Sequence, residues 1–256
     1  MAVIQQGVRL NYGDESFQFG DLYVPTDEER HPVVVLIHGG FWRATYDLSL
    51  MTKLAQDLVG RGIAAWNIEY RRVGNSGGGW PGTLLDVASA TDYLTTIADT
   101  YRLDLQRVVA IGHSAGGHLA FWLATRGKSE QAGAPLVLRG VVSLAGVVDL
   151  EQVWELGLGN DAVVELLDGS PDEVSERYKA ASPFEHLPLG VEQVLIHGTE
   201  DDIVPIVVSQ EYADRARQLG DTVKLIKLVG GNHFVVIDPA SLAWGRAVAE
   251  IQRLLH

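Results

Sequence analysis

Short apolar segments that alternate with helical patterns are the feature that most constrains the fold of this chain. Val33–Ile37 is a fully apolar run rich in β-branched residues, which is typical of a strand buried on both faces of a parallel sheet. Other strand candidates are Phe17–Val24, Ile63–Ile68, Arg107–Ile111, Val141–Leu144, Val194–Ile196 and Val223–Val229. Apolar residues at helical spacing predict helices over Tyr46–Val59, Gly82 to about Tyr101, Ala115–Thr125, Ile206–Leu219 and Pro239–Leu255. The alternation predicts an α/β protein with βαβ units and a mainly parallel sheet.

The length of the chain favours one domain over residues 1–256. The chain has 256 residues and is 46% hydrophobic, and single α/β domains often reach about 200–250 residues. One irregular segment, Leu150–Gly190, separates two strand candidates and contains short helix candidates at Asp161–Leu167 and Asp172–Ala180. We expect this segment to be a small insert over an edge of the sheet, near the carboxyl ends of the strands, where parallel sheets carry their sites.

The charge of the chain is negative and unevenly distributed. The sequence contains 33 acidic and 20 basic residues, a formal net charge of −13, and the segment Glu151–Asp202 alone holds 13 acids and two bases. This balance argues against nucleic acid and against an anionic membrane surface as partners. We therefore expect the rim of a site near this segment to disfavour polyanionic substrates and to accept neutral or zwitterionic ones.

Several signals of other protein classes are missing from the sequence. There is no cysteine, which excludes disulfides and thiolate metal sites, and no H-E-x-x-H pattern or comparable ligand cluster indicates a metal. We also see no basic stretch followed by an apolar run at the start, and no apolar run of the 18 or so residues that a membrane helix needs. We expect a cytoplasmic protein without cofactor or metal, either a monomer or a homodimer.

Gly112-His113-Ser114-Ala115-Gly116 carries the sharpest chemical signal. This G-x-S-x-G sequence follows an apolar strand candidate and opens a helix, a context in which a tight turn exposes the serine Oγ at the end of the sheet. A serine hydroxyl needs a base to take its proton, usually a histidine. Of eight histidines, His233 is the candidate, because it follows a strand in a glycine-containing loop that can reach Ser114.

A carboxylate that orients the histidine is expected between Ser114 and His233 if the chain order is Ser, Asp, His. Glu200, Asp201 and Asp202 stand together at the end of the strand candidate Val194–Ile196, and the residue pattern does not choose among them. Asp149 is a weaker competitor. Donors for an oxyanion are expected from the backbone of Gly40 or Phe41, after Val33–Ile37, and of Ala115, which follows the serine.

Four motifs in this order resemble the α/β-hydrolase superfamily. They are HGGFW at His38–Trp42, GHSAG at Gly112–Gly116, HGTED at His197–Asp201 with Val204-Pro205, and GGNHF at Gly230–Phe234. HGG-x-W is similar to kynurenine formamidase (arylformamidase) and to small esterases of the feruloyl and acetylxylan esterase-like group. The resemblance implies an eight-stranded, mainly parallel sheet flanked by helices, and it implies that Asp201 is the acid of a Ser114–His233–Asp201 triad.

Polar and aromatic residues beside these motifs are candidates for binding the substrate. Arg43 and Arg71 could clamp a carboxylate, although pairing with nearby acids is an equal alternative. Trp42 and Trp80 could form an aromatic wall, although core packing is the common fate of a tryptophan. His113, next to Ser114, belongs to the same group of candidates.

The sequence therefore predicts a cofactor-independent serine hydrolase that cleaves a small ester or an aryl formamide through an acyl-enzyme. Two alternatives stay open. The HGTED loop also resembles prolyl-oligopeptidase-type peptidases, although no propeller domain accompanies it here. A ligand-binding protein on a hydrolase scaffold is the other alternative, but such a protein would be expected to lack a member of the triad.

Overall fold

Eight strands form one sheet in the computed structural model, which describes residues 7–126 and 135–256. The strands are β1 Val8–Asn11, β2 Phe19–Tyr23, β3 His31–Ile37, β4 Ala64–Ile68, β5 Leu103–His113, β6 Gly140–Leu144, β7 Glu192–Gly198 and β8 Val223–Leu228. Their spatial order is β1-β2-β4-β3-β5-β6-β7-β8. The first two pairings, β1 with β2 and β2 with β4, are antiparallel and all others are parallel. The carboxyl ends of β3, β5, β7 and β8 therefore lie along one edge.

Helices cover both faces of the sheet. They are α1 Thr52–Val59, α2 Gly82–Asp92, α3 Leu94–Ile97, α4 Ala115–Thr125, α5 Leu150–Glu155, α6 Ala162–Leu167, α7 Pro171–Ala181, α8 Val207–Gln218 and α9 Leu242–Leu255. Alternate residues of β3 enter two cores: Val33, Val35 and Ile37 pack with α2, α4 and α8, whereas Val34 and Leu36 pack with α1 and α9. Burial on both faces explains the uninterrupted apolar run in β3. Within residues 7–126 and 135–256, no helix has both the length and the apolar character to cross a membrane.

Some elements differ from the sequence predictions. The helix predicted to extend to about Tyr101 ends at Asp92, and the short α3 follows it. The helix predicted from Tyr46 begins later, as a 3-10 turn at Leu48–Met51 that Asp47 caps through its side chain. Strand β1 was not predicted, because its apolar–polar alternation covers only four residues, too few to mark a strand by themselves.

The insert between β6 and β7 carries α5, α6 and α7 and a 3-10 turn at Pro183–His186. Its two ends are joined, since the backbone N–H of Leu150 donates to Ser182 Oγ (3.1 Å) and that of Phe184 donates to the Val148 carbonyl (3.2 Å). Its middle contacts loops that follow other strands: Glu165 accepts from Arg43 Nε at 2.6 Å. The insert therefore lies over the edge of the sheet where the strands have their carboxyl ends.

Candidate active site

Ser114 sits on a strained turn between β5 and α4. Its backbone angles are φ 55° and ψ −120°, a region that residues with a Cβ rarely adopt. Hydrogen bonds hold the turn, from Ser114 N–H to the Leu144 carbonyl (2.9 Å) and from Gly117 N–H to the Ser114 carbonyl (2.9 Å). A Cβ on Gly116 would lie 2.1 Å from the Ile37 carbonyl oxygen. The small residues of G-x-S-x-G are thus required by the close packing of this turn against β3.

Asp201 and His233 form a buried pair at the ends of β7 and β8. His233 Nδ1 lies 2.7 Å from Asp201 Oδ2, and the other carboxylate oxygen accepts from the backbone N–H groups of Ile203 (3.0 Å) and Val204 (2.8 Å). His197 Nε2 lies 3.3 Å from Oδ2. Burial raises the pKa of Asp201, but the hydrogen bonds from His197 and His233 outweigh it and hold this pKa well below its ordinary value. The carboxylate is therefore ionised at neutral pH.

The other acids that the sequence offered do not bind His233. Glu200 and Asp202 are exposed. Asp149 caps α5, since its side chain accepts from the N–H groups of Glu151 and Gln152. Of these four acids, the fold brings Asp201 alone to the histidine.

Ser114 and His233 line one small cavity that opens to solvent. The other lining residues are Gly40, Phe41, Tyr46, Leu50, His113, Ile203 and Phe234. The sequence did not identify four of these lining residues, namely Tyr46, Leu50, Ile203 and Phe234. Their proximity in sequence to the HGGFW, HGTED and GGNHF motifs could have indicated them, since residues next to a catalytic loop often share its cleft.

The loop after β3 places backbone atoms beside Ser114. Gly40, Phe41 and Trp42 all have positive φ, at 113°, 51° and 56°, so this loop carries a run of backbone strain. A Cβ on Gly39 would lie 2.7 Å from the His113 carbonyl oxygen and 3.0 Å from Ser114 Cβ. The backbone N–H groups of Gly40 and Ala115 donate no hydrogen bond to the part of the chain that the structure describes, so both are free to bind an incoming oxygen.

His113 joins the serine turn to the histidine loop. Its Nε2 lies 3.0 Å from the His233 carbonyl oxygen, to which it donates, and its ring centroid lies 4.7 Å from that of His233. Burial, reinforced by the neighbouring His233, lowers the pKa of His113 to about 3, so the ring is neutral at working pH. This contact fixes the backbone of His233 relative to Ser114.

Four predicted substrate-binding residues lie away from the cavity wall. Trp42 is buried and its Nε1 donates to His118 Nδ1 at 3.1 Å. Arg43 pairs with Glu165 and also donates to the Asn160 carbonyl, and Arg71 pairs with Asp86 at 2.7 Å. Trp80 packs against the core. Pairing and core packing thus account for these side chains. Among the described residues, no group of three or more His, Asp or Glu side chains could hold a metal ion.

Solved structures share this architecture over nearly the whole chain. A truncated carbohydrate esterase from gut microbiota superposes with a TM-score of 0.86, covering 98% of this chain and 96% of that one at 20% identity. A thermophilic esterase from Thermogutta terrifontis gives a TM-score of 0.78, covering 97% and 91% at 22% identity. The sheet order and the serine turn, with these likenesses, define an α/β-hydrolase fold, which confirms the fold expected from the sequence.

Residues 20–215 match the BD-FAE family, and the chain belongs to that family. Among curated proteins it is 28% identical to a probable isoprenylcysteine alpha-carbonyl methylesterase of Oryza sativa, over 96% of this chain and 62% of that protein. It is 26% identical to the esterase LipC of Mycobacterium tuberculosis, over 91% of this chain and 60% of that protein. A kynurenine formamidase of Aspergillus versicolor is 25% identical over 70% of this chain and 74% of that protein. The chain thus spans about 60% of the length of the first two relatives. It is an α/β-hydrolase whose relatives include esterases.

Proposed function

We propose that this chain is a serine esterase in which Ser114 is the nucleophile, His233 the general base and Asp201 the residue that orients the imidazole. The observation that carries the proposal is the 2.7 Å contact between His233 Nδ1 and Asp201, with His233 and Ser114 on the wall of one cavity. Asp201 selects the tautomer of His233 that leaves Nε2 free to accept a proton.

The reaction proposed for this arrangement has two halves. Ser114 Oγ attacks the ester carbonyl carbon while His233 Nε2 takes the hydroxyl proton, and the imidazolium then gives that proton to the departing alcohol oxygen. The product of this half is an acyl-enzyme. In the second half His233 takes a proton from water, the hydroxide attacks the acyl carbon, and Ser114 leaves with the proton returned to it.

The tetrahedral intermediates of both halves carry a negative oxygen that needs hydrogen-bond donors. We assign this role to the backbone N–H of Ala115 and to that of Gly40 or Phe41, which lie on either side of Ser114 in the fold. Ala115 is the first residue of the 11-residue helix α4, so the positive end of the helix dipole adds to its hydrogen bond. Removal of one such donor typically costs about 2.7–4 kcal/mol of transition-state stabilisation.

The cavity walls support a small, uncharged acyl group as the substrate class. Tyr46, Leu50, Ile203 and Phe234 offer apolar or aromatic surface around a small cavity. Arg43 is held by Glu165 and Asn160, so it is not available to bind a substrate carboxylate. We therefore favour short-chain esters over long-chain or anionic ones.

Aryl formamides are a second candidate class. Phe41, Tyr46 and Phe234 put three aromatic rings at the cavity, which suits an aromatic leaving group, and a formyl group needs little space. The 25% identity to the kynurenine formamidase of Aspergillus versicolor supports the same reading. The pairing of Arg43 and Arg71 with acids weighs against a carboxylate clamp for an amino-acid substrate.

Hydrolysis assays test the proposal and rank the two classes. We expect turnover of p-nitrophenyl acetate and butyrate, a decline toward the octanoate, and a loss of more than about 1,000-fold in kcat for Ser114→Ala. Ser89→Ala, an exposed serine on α2, is the matched control and should retain full activity. Turnover by Ser114→Ala, or binding of these esters without turnover by the unmodified chain, would overturn the proposal. Release of kynurenine from N-formylkynurenine faster than any ester would place the formamide class first.

A further inference from the structure

A buried polar cluster, which we call the Glu69 cluster, lies behind the loop that follows β3. It consists of Glu69, His38, Tyr70 and Arg72, each at most 2% exposed. None of the four lines the cavity, and the proposed mechanism uses none of them. A buried ionic group costs free energy unless it is fully paired. We therefore asked what function a buried ionic cluster next to the proposed catalytic loop could have.

The carboxylate of Glu69 is the centre of this cluster. It accepts from His38 Nε2 at 3.0 Å and from the backbone N–H groups of Tyr70 and Leu48, both at 3.1 Å. Arg72 Nη2 lies 3.3 Å from it. Four donors surround one carboxylate, so its position is fixed. Through His38 and Arg72 it can also fix the backbone groups that these two side chains contact, the carbonyls of Gly39 and Tyr46.

His38 transmits this position to the peptide between Gly39 and Gly40. Its Nδ1 lies 2.8 Å from the Gly39 carbonyl oxygen, which like the Glu69 carboxylate only accepts, so the two contacts together require an N–H at both ring nitrogens. This peptide is trans, so the Gly40 N–H points away from the Gly39 carbonyl and from the His38 ring. Gly40 lines the cavity beside Ser114. Holding the carbonyl on the side of His38 therefore turns the Gly40 N–H toward the opposite side.

Two further contacts complete the arrangement. Arg72 Nη1 donates to the Tyr46 carbonyl, and the Tyr46 ring fills the space next to Gly40, where a Cβ would lie 2.6 Å from it. Tyr70 stacks on His38 with ring centroids 4.4 Å apart, and its hydroxyl donates to the His38 carbonyl at 2.8 Å. The Glu69 cluster thus holds both His38, at the start of the loop after β3, and Tyr46, whose ring packs on Gly40.

We propose that Glu69 is a positioning residue which, through His38 and Arg72, aims the Gly40 N–H at the oxyanion that forms when Ser114 attacks the substrate. This inference rests on the proposed serine mechanism. Glu69 touches no reacting atom. Its effect is on the tetrahedral intermediates and the transition states that lead to them, because the oxyanion is absent from the bound substrate.

Two substitutions test the two ends of this connection. Glu69→Gln and His38→Leu should each lower kcat for p-nitrophenyl butyrate by about 10- to 100-fold with KM changed by less than about 2-fold. The affinity for an alkyl boronic acid, which forms a tetrahedral adduct with the serine, should fall by a similar factor, whereas the affinity for butyrate should not change. His38→Asn keeps a donor at the position of Nδ1 and should restore most of the activity. Tyr70→Phe, the mildest change, should give the same pattern at about 2- to 5-fold.

A matched control distinguishes a variant that is merely less stable from one in which the Gly40 N–H is misplaced. Glu250→Gln removes a buried carboxylate on α9 that is paired with Lys224 of β8 and Arg253 of α9. This change should lower the thermal midpoint without changing kcat. The concentration of active sites is measured by titration with a phosphonate that reacts with the serine, and each rate is divided by it. Unfolded molecules therefore do not lower the measured kcat. Unchanged kcat and boronic acid affinity in Glu69→Gln and His38→Leu, with Ser114→Ala inactive, would overturn the inference. Activity in Ser114→Ala would instead overturn the serine mechanism on which it rests.

Discussion

At the scale of single residues, burial separates two neighbouring acids that the sequence presents as equals. Asp201 is 9% exposed and accepts from His233 and from two backbone N–H groups, whereas Asp202 points to solvent. The difference arises because the chain turns after Asp201 and brings the N–H groups of Ile203 and Val204 onto one carboxylate oxygen. Such a turn satisfies the charge that burial would otherwise penalise.

This asymmetry predicts opposite results for the same substitution at adjacent positions. Asp201→Asn should lower kcat for p-nitrophenyl butyrate by at least about 100-fold, because an amide holds His233 in the wrong tautomer. Asp202→Asn should stay within about 2-fold of the unmodified chain. Both variants are measured with the same ester under the same conditions. Equal losses at the two positions would contradict the assignment of Asp201.

How far the sequence predicts the site differs from residue to residue. Ser114 and His233 were expected together because their motifs follow strands whose ends meet at one edge of the sheet. The choice of Asp201 needed the family resemblance, since propensity and spacing are the same for Asp202. Trp42 was expected at the substrate because it follows the HGG sequence, but its positive φ turns the indole into the core, toward His118. Side-chain direction at such a position is not encoded in spacing.

At the scale of elements, His118 connects α4 to two other segments. Its Nδ1 accepts from Trp42 Nε1 in the loop after β3, and its Nε2 donates to the Ala181 carbonyl at the end of α7 (2.9 Å). Both contacts need the neutral ring, because a proton on Nδ1 would face the Trp42 N–H. Burial lowers the pKa of His118 to about 4.

The stability of the chain should therefore decline in mild acid. Between pH 6.5 and 4 the unfolded chain binds a proton at His118 that the folded chain does not, so stability is full above pH 6.5 and falls as the pH drops toward 4. The loss should be on the order of 3 kcal/mol. Urea midpoints measured across this range check it. His118→Asn keeps an acceptor for Trp42 and should show a shallower dependence; an equal slope in both proteins would exclude His118 as the cause.

Elements with strong patterns were predicted well, and the others were not. Helix α4 matches its predicted range of Ala115–Thr125, because it begins at a sharp turn and its residues are buried almost throughout. Strand β1 has only four residues, most of them exposed, so its period-2 pattern is too short to distinguish it from a loop. The structure of this strand comes from pairing with β2, which is information that a local pattern does not contain.

At the scale of the whole molecule, the excess negative charge is concentrated in the segment Glu151–Asp202, which contains most of the insert and holds 13 acids and two bases. Most acids of the insert are exposed, and the insert reaches the cavity loops through Phe41, whose ring packs on Gly159. The nearest cation of the loop after β3, Arg43, is already paired with Glu165. We therefore expect the exposed acids of the insert to repel an anionic substrate, which the paired Arg43 would not be free to bind.

Substrate charge should consequently matter more than substrate length. We expect kcat/KM for p-nitrophenyl hemisuccinate to be at least about 10-fold below that for the pentanoate ester at low salt, with a smaller gap at about 0.5 M salt because the exposed charges are screened. Glu165→Gln releases Arg43 and should narrow the gap. A hemisuccinate that is hydrolysed as fast as the neutral ester at low salt would contradict this account.

The joined ends of the insert have a consequence for how this scaffold can diversify. Leu150 and Ser182 are hydrogen-bonded to each other, as are Val148 and Phe184. The insert between them therefore leaves the core of the fold and returns to it at the same place. The strands that carry Ser114, Asp201 and His233 lie outside it. A different insert could therefore be accommodated between the same two ends without moving the strands that precede Ser114, Asp201 and His233. Such an exchange must preserve or replace the contacts that the insert makes with the rest of the fold, among them those of Phe41 and Arg43 in the loop after β3 and of His118 on α4.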